Sequence, residues 1–199
     1  MKNLFLLLLL FAPALAWSQH IHGIGCGTTV EDGALIKERL FANRADDYHH
    51  ASSRNAVDYI PVRFNIVGTD EGSGYVDELR AFEAICLLNE YFEDLGLTFY
   101  FKEFTYLNNS SLYNNAKCSS CELFLSNYMN GKYDALNIFL LKNSGTIPSG
   151  GNTAGFYAPS TPNLSRDYIV INNSALLQVS VTPHEVGHFF SLAHPFFGW

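Results

Sequence analysis

HEVGHFFSLAH, residues 184–194, sets two histidines four positions apart with a glutamate beside the first. On a helix, His184 and His188 project from one face, one turn apart. Two neutral imidazoles so placed can share a Zn2+ at Zn–N distances of about 2.0–2.1 Å. Glu185 is positioned to reach a zinc-polarised water instead of the metal and to take its proton as general base. A catalytic zinc also needs a third protein ligand and one open position. His194 supplies that ligand only if the helix stops after His188 and the chain turns back, a reversal that favours a residue with positive φ. A bare H-E-x-x-H arises by chance in core helices; a third histidine at this spacing makes metal binding the stronger reading. Upstream, Thr182 suits the N-cap and Pro183 the first helical position, so the helix should begin just before the first ligand. Glu185 then also occupies the capping-box position.

Working outward, Ile60, Val62, Phe64 and Ile66 alternate with Arg63 and Asn65, a strand with one polar face. Pro61 near its start points to an edge or an early, unpaired position. GTDEGSG (68–74) breaks the chain before a helix over 76–95, where Leu79, Phe82, Ile85, Cys86, Tyr91 and Phe92 recur at helical spacing. Asp77 and Glu78 favour its start and Gly96 its end. Leu97, Phe99 and Phe101 alternate with Thr98, Tyr100 and Lys102, a second strand. Residues 108–120 read as a polar loop and 121–129 as a short helix. ALNIFLL (135–141) is apolar enough for a strand buried on both faces. After the loop 143–153, AGFYAP (154–159) reads as a short edge strand stopped by proline. DYIVINN (167–173) is another buried strand leading into the histidine motif. This order predicts an α/β (α+β) fold: a mixed, twisted five-stranded sheet with a backing helix and an active-site helix.

The chain opens MKNLFLLLLLFAPALAWSQ. An apolar run from Leu4 to Ala12 and the small-x-small pattern Ala14-Leu15-Ala16 read as a secretory signal peptide over 1–16. The expected location is therefore secreted or extracellular, with the periplasm as an equivalent. No other apolar run approaches the ~18–20 residues of a membrane span, so no stable membrane insertion is expected. A net charge of −7 argues against nucleic acid or an anionic membrane as partner. The four cysteines, Cys26, Cys86, Cys118 and Cys121, make disulfides the default in an exported chain, with three pairings open. Cys118-Ser119-Ser120-Cys121 fits a small-loop disulfide, with half a zinc ribbon or a redox pair as alternatives, leaving Cys86 as a buried helix cysteine. Residues 17–58 are polar and weakly periodic, and His20, His22, His49 and His50 read as solvated.

The eleven residues 184–194 resemble the H-E-x-x-H-x-x-G-x-x-H signature of metzincin zinc metallopeptidases. The H-E-V-G-H core, Leu192 and the aromatic Phe196 look most like the pappalysin branch. PVRFNIV, the long helix, LNIFLL, GFYAP and YIVIN are similar to a metzincin N-terminal subdomain, so the resemblance spans roughly 59–199. It implies a secreted zinc endopeptidase in which His184, His188 and His194 bind Zn2+ and Glu185 is the catalytic base, with Ca2+ a further candidate cofactor. It also implies an extended protein or peptide substrate held by strand addition along Phe156, Tyr157 and Ala158. Two departures stand out. Ser191 replaces the turn glycine, at a cost of ~1 kcal/mol or somewhat more, small against zinc-site energies of order 10 kcal/mol. The chain also ends at Trp199, and its only methionines are Met1 and Met129, so the C-terminal subdomain with its methionine turn is expected to be missing. The domain reading is a signal peptide over 1–16, a candidate pro-segment over 17–54, and the N-terminal subdomain of the catalytic domain over 55–199. Some relatives carry a pro-segment cysteine on the open zinc position. Cys26 is the candidate here, since thiolate is a good zinc ligand, with release by cleavage near Arg54-Asn55. A disulfide from Cys26 is the alternative. Rival readings are a zinc-binding but inactive secreted protein that only binds peptides, a gluzincin-like peptidase with a downstream glutamate ligand, and a metal-free disulfide protein.

Overall fold

Buried strands that are apolar on both faces demand helices above and below them, and that requirement organises the chain. The computed structural model describes residues 25–47, 57–146 and 152–195. The signal peptide, His20, His22, His49, His50, the Arg54-Asn55 bond, Phe196 and Trp199 lie outside them. In chain order the elements are β1 (Gly25–Cys26), α1 (Val30–Asp47), β2 (Asp58–Gly68), α2 (Glu78–Phe92), β3 (Leu97–Asn108), α3 (Ser110–Asn114), α4 (Cys121–Met129), β4 (Leu136–Leu141), β5 (Thr153–Ala158), β6 (Tyr168–Asn172) and α5 (Thr182–Phe189). The strands form one sheet in the order β1-β5-β6-β4-β2-β3. All neighbours are parallel except β5 and β6.

One face of the sheet presents Val62, Phe64, Ile66, Ile138, Leu140, Ile169 and Ile171 to Ala81, Ile85 and Leu88 of α2 and Val186 of α5. The other presents Phe139, Leu141, Val170 and Tyr168 to Leu125 and Met129 of α4. The result is a mixed α/β fold in which the histidine helix lies on the sheet. At the start of α2 the Asp77 side chain accepts from the Leu79 N–H as read, but the helix ends at Phe92, and Gly96, left-handed at φ 68°, closes the 3-10 turn Glu93–Leu95 that follows. Residues 118 and 121 form a disulfide.

The structure corrects several expectations. The sheet has six strands, not five, because Gly25 and Cys26 add β1 alongside β5. AGFYAP is therefore not an edge: β5 lies between β1 and β6, and the Gly27 N–H donates to the Gly155 carbonyl at 2.7 Å. The polar stretch after Cys26 forms the 18-residue α1, which periodicity alone did not reveal. Polar anchors hold it instead of a broad apolar stripe: Arg39 pairs with Asp167 at 2.8 Å and Asp32 with Arg166 at 3.1 Å. Its start is a reciprocal box, with the Asp32 N–H donating to Thr29 Oγ1 at 3.0 Å and the Thr29 hydroxyl to the Asp32 carboxylate at 2.9 Å. Pro61 sits in an interior strand, tolerated because β2 pairs with β4 only from Val62 onward. β3 runs to Asn108, not Lys102. A register shift sets Val62 opposite Phe101 but Arg63 opposite Glu103, leaving Lys102 as an extra residue that breaks the alternation. Cys86 is exposed, not buried. Among the described residues no helix is long and apolar enough to cross a membrane.

At Gly155, in β5, the neighbouring strand and α5 leave no room for a side chain. A Cβ there would lie 2.7 Å from Ile171 Cδ1 and 2.7 Å from the Val170 carbonyl. Gly155→Ala is expected to cost about 1–3 kcal/mol by overpacking, read as a lower midpoint in urea unfolding.

Candidate metal centre

α5 starts with proline in its first turn, as the sequence suggests. Val181, not Thr182, occupies the cap position, and no side chain caps the helix. The Thr182 hydroxyl instead donates to the Leu176 carbonyl at 2.8 Å, tying the helix to the preceding turn. Glu185 is likewise not used as a capping box. After Phe189 the chain closes a Schellman turn: the Ser191 N–H donates to the His188 carbonyl at 2.9 Å and the Leu192 N–H to the Gly187 carbonyl at 3.0 Å. Ser191 takes φ 67°, the left-handed position the reversal needs. Its side chain is buried and accepts from Asn43 Nδ2 of α1 at 3.4 Å.

This reversal returns His194 to His184 and His188. The three Nε2 atoms lie 3.1 Å (His184–His188), 3.0 Å (His184–His194) and 3.0 Å (His188–His194) apart. His188 Nδ1–H donates to the Leu192 carbonyl at 2.6 Å, so its Nε2 carries a lone pair directed at the other two rings. Lone pairs converging so closely repel one another unless a cation sits among them. A triangle of this size puts a shared ion about 2 Å from each nitrogen, the distance Zn2+ prefers. Cys26 Sγ closes the fourth side, 3.6 Å from His188 Nε2, and the four ligand atoms all lie within 4.8 Å of one another. Three imidazoles and a thiol form a donor set suited to tetrahedral Zn2+.

Glu185 is 1% exposed, and the Cys26 thiol donates to its Oε2 at 3.6 Å. Burial pushes its carboxyl up to about 8, opposed by hydrogen bonds from Cys26 and the Tyr157 backbone and by the charge of Lys117. Burial and the neighbouring Glu185 push the Cys26 thiol up to about 12. A cation at the centre inverts this balance and favours the thiolate. Burial, with the adjacent imidazoles, holds His188 down to about 4; burial also lowers His184, with His194 adding to the effect, and His194 itself. All three rings are thus neutral donors near pH 7.

Phe156, Tyr157 and Ala158 are buried, and the Tyr157 backbone meets the chain's own N-terminal segment, its N–H donating to Thr28 Oγ1 at 3.2 Å. In this form their strand is not open to another peptide. Three further residues, Arg39, Asp167 and Lys117, contact the expected substrate strand without any local signal in the sequence. Arg39 donates to the Tyr157 hydroxyl at 2.6 Å, and that hydroxyl donates to Asp167 at 2.6 Å. The Lys117 ammonium donates to the Gly27 carbonyl and lies 4.8 Å from the Phe156 ring centroid. The Thr-x-x-Asp spacing of Thr29 and Asp32 was the one readable hint that a helix follows Cys26.

No described protein family matches the sequence, and no curated protein is significantly similar to it. Among solved structures, metalloproteinase-II from Bacteroides fragilis aligns over 81% of this chain and 59% of its own, with TM-score 0.42 and 14% identity. The chain thus spans 59% of that protein's length. At that level of likeness the functional reading rests on the site itself.

The full chain is expected to take up one Zn2+, and His188→Ala to weaken binding by ~100-fold or more, measured by chelator competition. With Co2+ in place of zinc, a thiolate-to-cobalt charge-transfer band should appear and be lost in Cys26→Ser.

Proposed function

We propose that this chain is a secreted zinc-dependent endopeptidase of metzincin type, closest in resemblance to the pappalysin branch and held latent by its own N-terminal segment. The observation that carries this reading is the meeting of three imidazole Nε2 atoms around one point, with a buried carboxyl beside them and a thiol on the fourth side. His184, His188 and His194 would hold Zn2+, which when bound would supply Lewis-acid polarisation of the scissile carbonyl and of the attacking water. Glu185 takes the proton from that water and returns it to the leaving amine. The peptide would lie extended on β5, along Phe156, Tyr157 and Ala158, on the side of the strand that β1, Gly27 and Thr28 now cover. The Cys118–Cys121 disulfide fits an oxidising compartment.

Latency follows from where the N-terminal segment sits. Cys26 Sγ stands where the open ligand position would be, and Gly25–Thr28 covers the strand that would hold the substrate. Water and peptide are therefore excluded together. Cleavage near Arg54-Asn55 frees the segment to leave. A closed four-donor centre is also the arrangement of a structural zinc site, which favours the second reading, an inactive zinc-binding protein. The two part on one assay. Zinc-loaded full chain is expected to hydrolyse fluorogenic peptides slowly and to gain activity after limited proteolysis. Chelator should abolish that activity and zinc restore it, with Ca2+ tested in parallel. Processed protein that binds zinc yet cleaves nothing would leave the inactive reading standing. In the processed enzyme, Glu185→Gln should keep the metal and lose about 10²–10⁴-fold in kcat/KM.

The anchoring of α1 carries a pH signature. Burial works against the Asp167 carboxylate, but hydrogen bonds from Tyr157 and Arg39 and the guanidinium charge outweigh it and hold the group below its ordinary 3.8. A depressed folded-state value means the stabilisation is present above the unfolded value and lost as pH falls through the folded one. The hold on α1 should therefore persist from neutral pH down to about pH 4 and weaken below it. Asp167→Asn, which tolerates the φ of 67°, should remove that step, read as hydrogen-exchange protection of α1 amides against pH.

A further inference from the structure

Beside β5 and away from α5 lies a cavity of about 260 Å³ whose walls include Asp32, Lys117, Glu122, Phe156, Ala158 and Arg166. Its charges are unevenly owned. Arg166 is 9% exposed; its Nε donates to the Pro159 carbonyl at 2.7 Å, its Nη1 to Glu122 at 2.7 Å and its Nη2 to Asp32 at 3.1 Å. Lys117 donates to the Gly27 carbonyl. Asp32 and Gly27 both belong to the segment that the latent form keeps in place, whereas Lys117, Glu122 and Arg166 belong to the body of the protein. Departure of the segment leaves two cations facing the single carboxylate of Glu122. A buried guanidinium that loses a charged partner is strongly penalised, so the emptied cavity favours a replacement anion.

Strand geometry says which part of a substrate reaches it. Phe156 and Ala158 line the cavity, while Tyr157 between them points the other way, against Phe189 with ring centroids 6.1 Å apart. A peptide added to β5 presents alternate side chains to the same two sides.

We infer that this cavity is a subsite for an acidic side chain, in which Asp32 of the N-terminal segment holds the place of a substrate Asp or Glu between Arg166 and Lys117. The inference rests on the latent-peptidase reading and adds its substrate class: extended peptides with a carboxylate at one set distance from the cleaved bond. Charge-assisted hydrogen bonds to both cations distinguish that carboxylate from an amide of the same shape.

The test starts from folded, zinc-loaded full chain processed in place by limited proteolysis. Peptide pairs that differ only in Asp or Glu against Asn or Gln are scanned across the positions flanking the cleaved bond. At one position the acid is expected to raise kcat/KM about tenfold or more. Lys117→Glu should level or invert that ratio toward peptides carrying lysine there, and Lys117→Arg should retain it. The same pairs, bound to processed Glu185→Gln protein and followed by fluorescence anisotropy, should repeat the ratio without turnover. A ratio near one at every position, or an acid preference indifferent to Lys117→Glu, overturns the subsite while leaving the peptidase reading intact. Processed wild-type protein that cleaves no peptide overturns the peptidase reading, and the subsite with it.

Discussion

The Schellman turn after His188 sets the geometry on which the candidate site depends. A helix continued through Ser191 would carry His194 away from the first two histidines. By stopping at Phe189 and reversing through φ 67° at Ser191, the chain returns a third imidazole to within 3.0 Å of the others. The turn also supplies the Leu192 carbonyl that orients the His188 ring, so one backbone reversal sets both the position of a donor and the tautomer of another. Serine at that position is strained by ~1 kcal/mol. Its burial and its contact with Asn43 hold the conformation from outside the turn.

Around that centre the N-terminal segment lies against both the strand β5 and the histidines. It supplies β1 to the sheet and a thiol to the histidines, and α1 then clasps the side of the fold. Its grip is mostly polar. Ile36 is the one apolar side chain of α1 within the buried core, against five buried residues in α2. The segment is held mainly by ion pairs, Arg166 with Asp32 largely buried and Arg39 with Asp167 partly exposed, while the main apolar layers lie between the sheet and the other helices.

Much of the fold was legible because it is written in burial. LNIFLL and YIVIN are apolar apart from one asparagine each and form the interior strands β4 and β6, Asp77 caps the start of α2, and Gly96 closes the 3-10 turn that follows it. The positions that escaped reading depend on distant partners. α1 has no strong apolar period because its contacts are Arg39 to Asp167 and Asp32 to Arg166, more than a hundred residues apart in the chain. β5 read as an edge because its own residues cannot report that Gly25 and Cys26 pair beside it. The extra residue at Lys102 hid the length of β3, since a bulge breaks the alternation that marks a strand.

By itself, then, the sequence determined the local elements and the side chains that share a helix face, because spacing and capping act within a few residues. That His184 and His188 point together follows from their separation of four. Only the tertiary structure decided that Cys26 closes the fourth side of the three histidines, that β5 is covered, and that Lys117 and Arg166 face an acidic side chain from another part of the chain. Those arrangements arise from charges and backbone groups that find their partners only when the sheet assembles, and no local pattern encodes them.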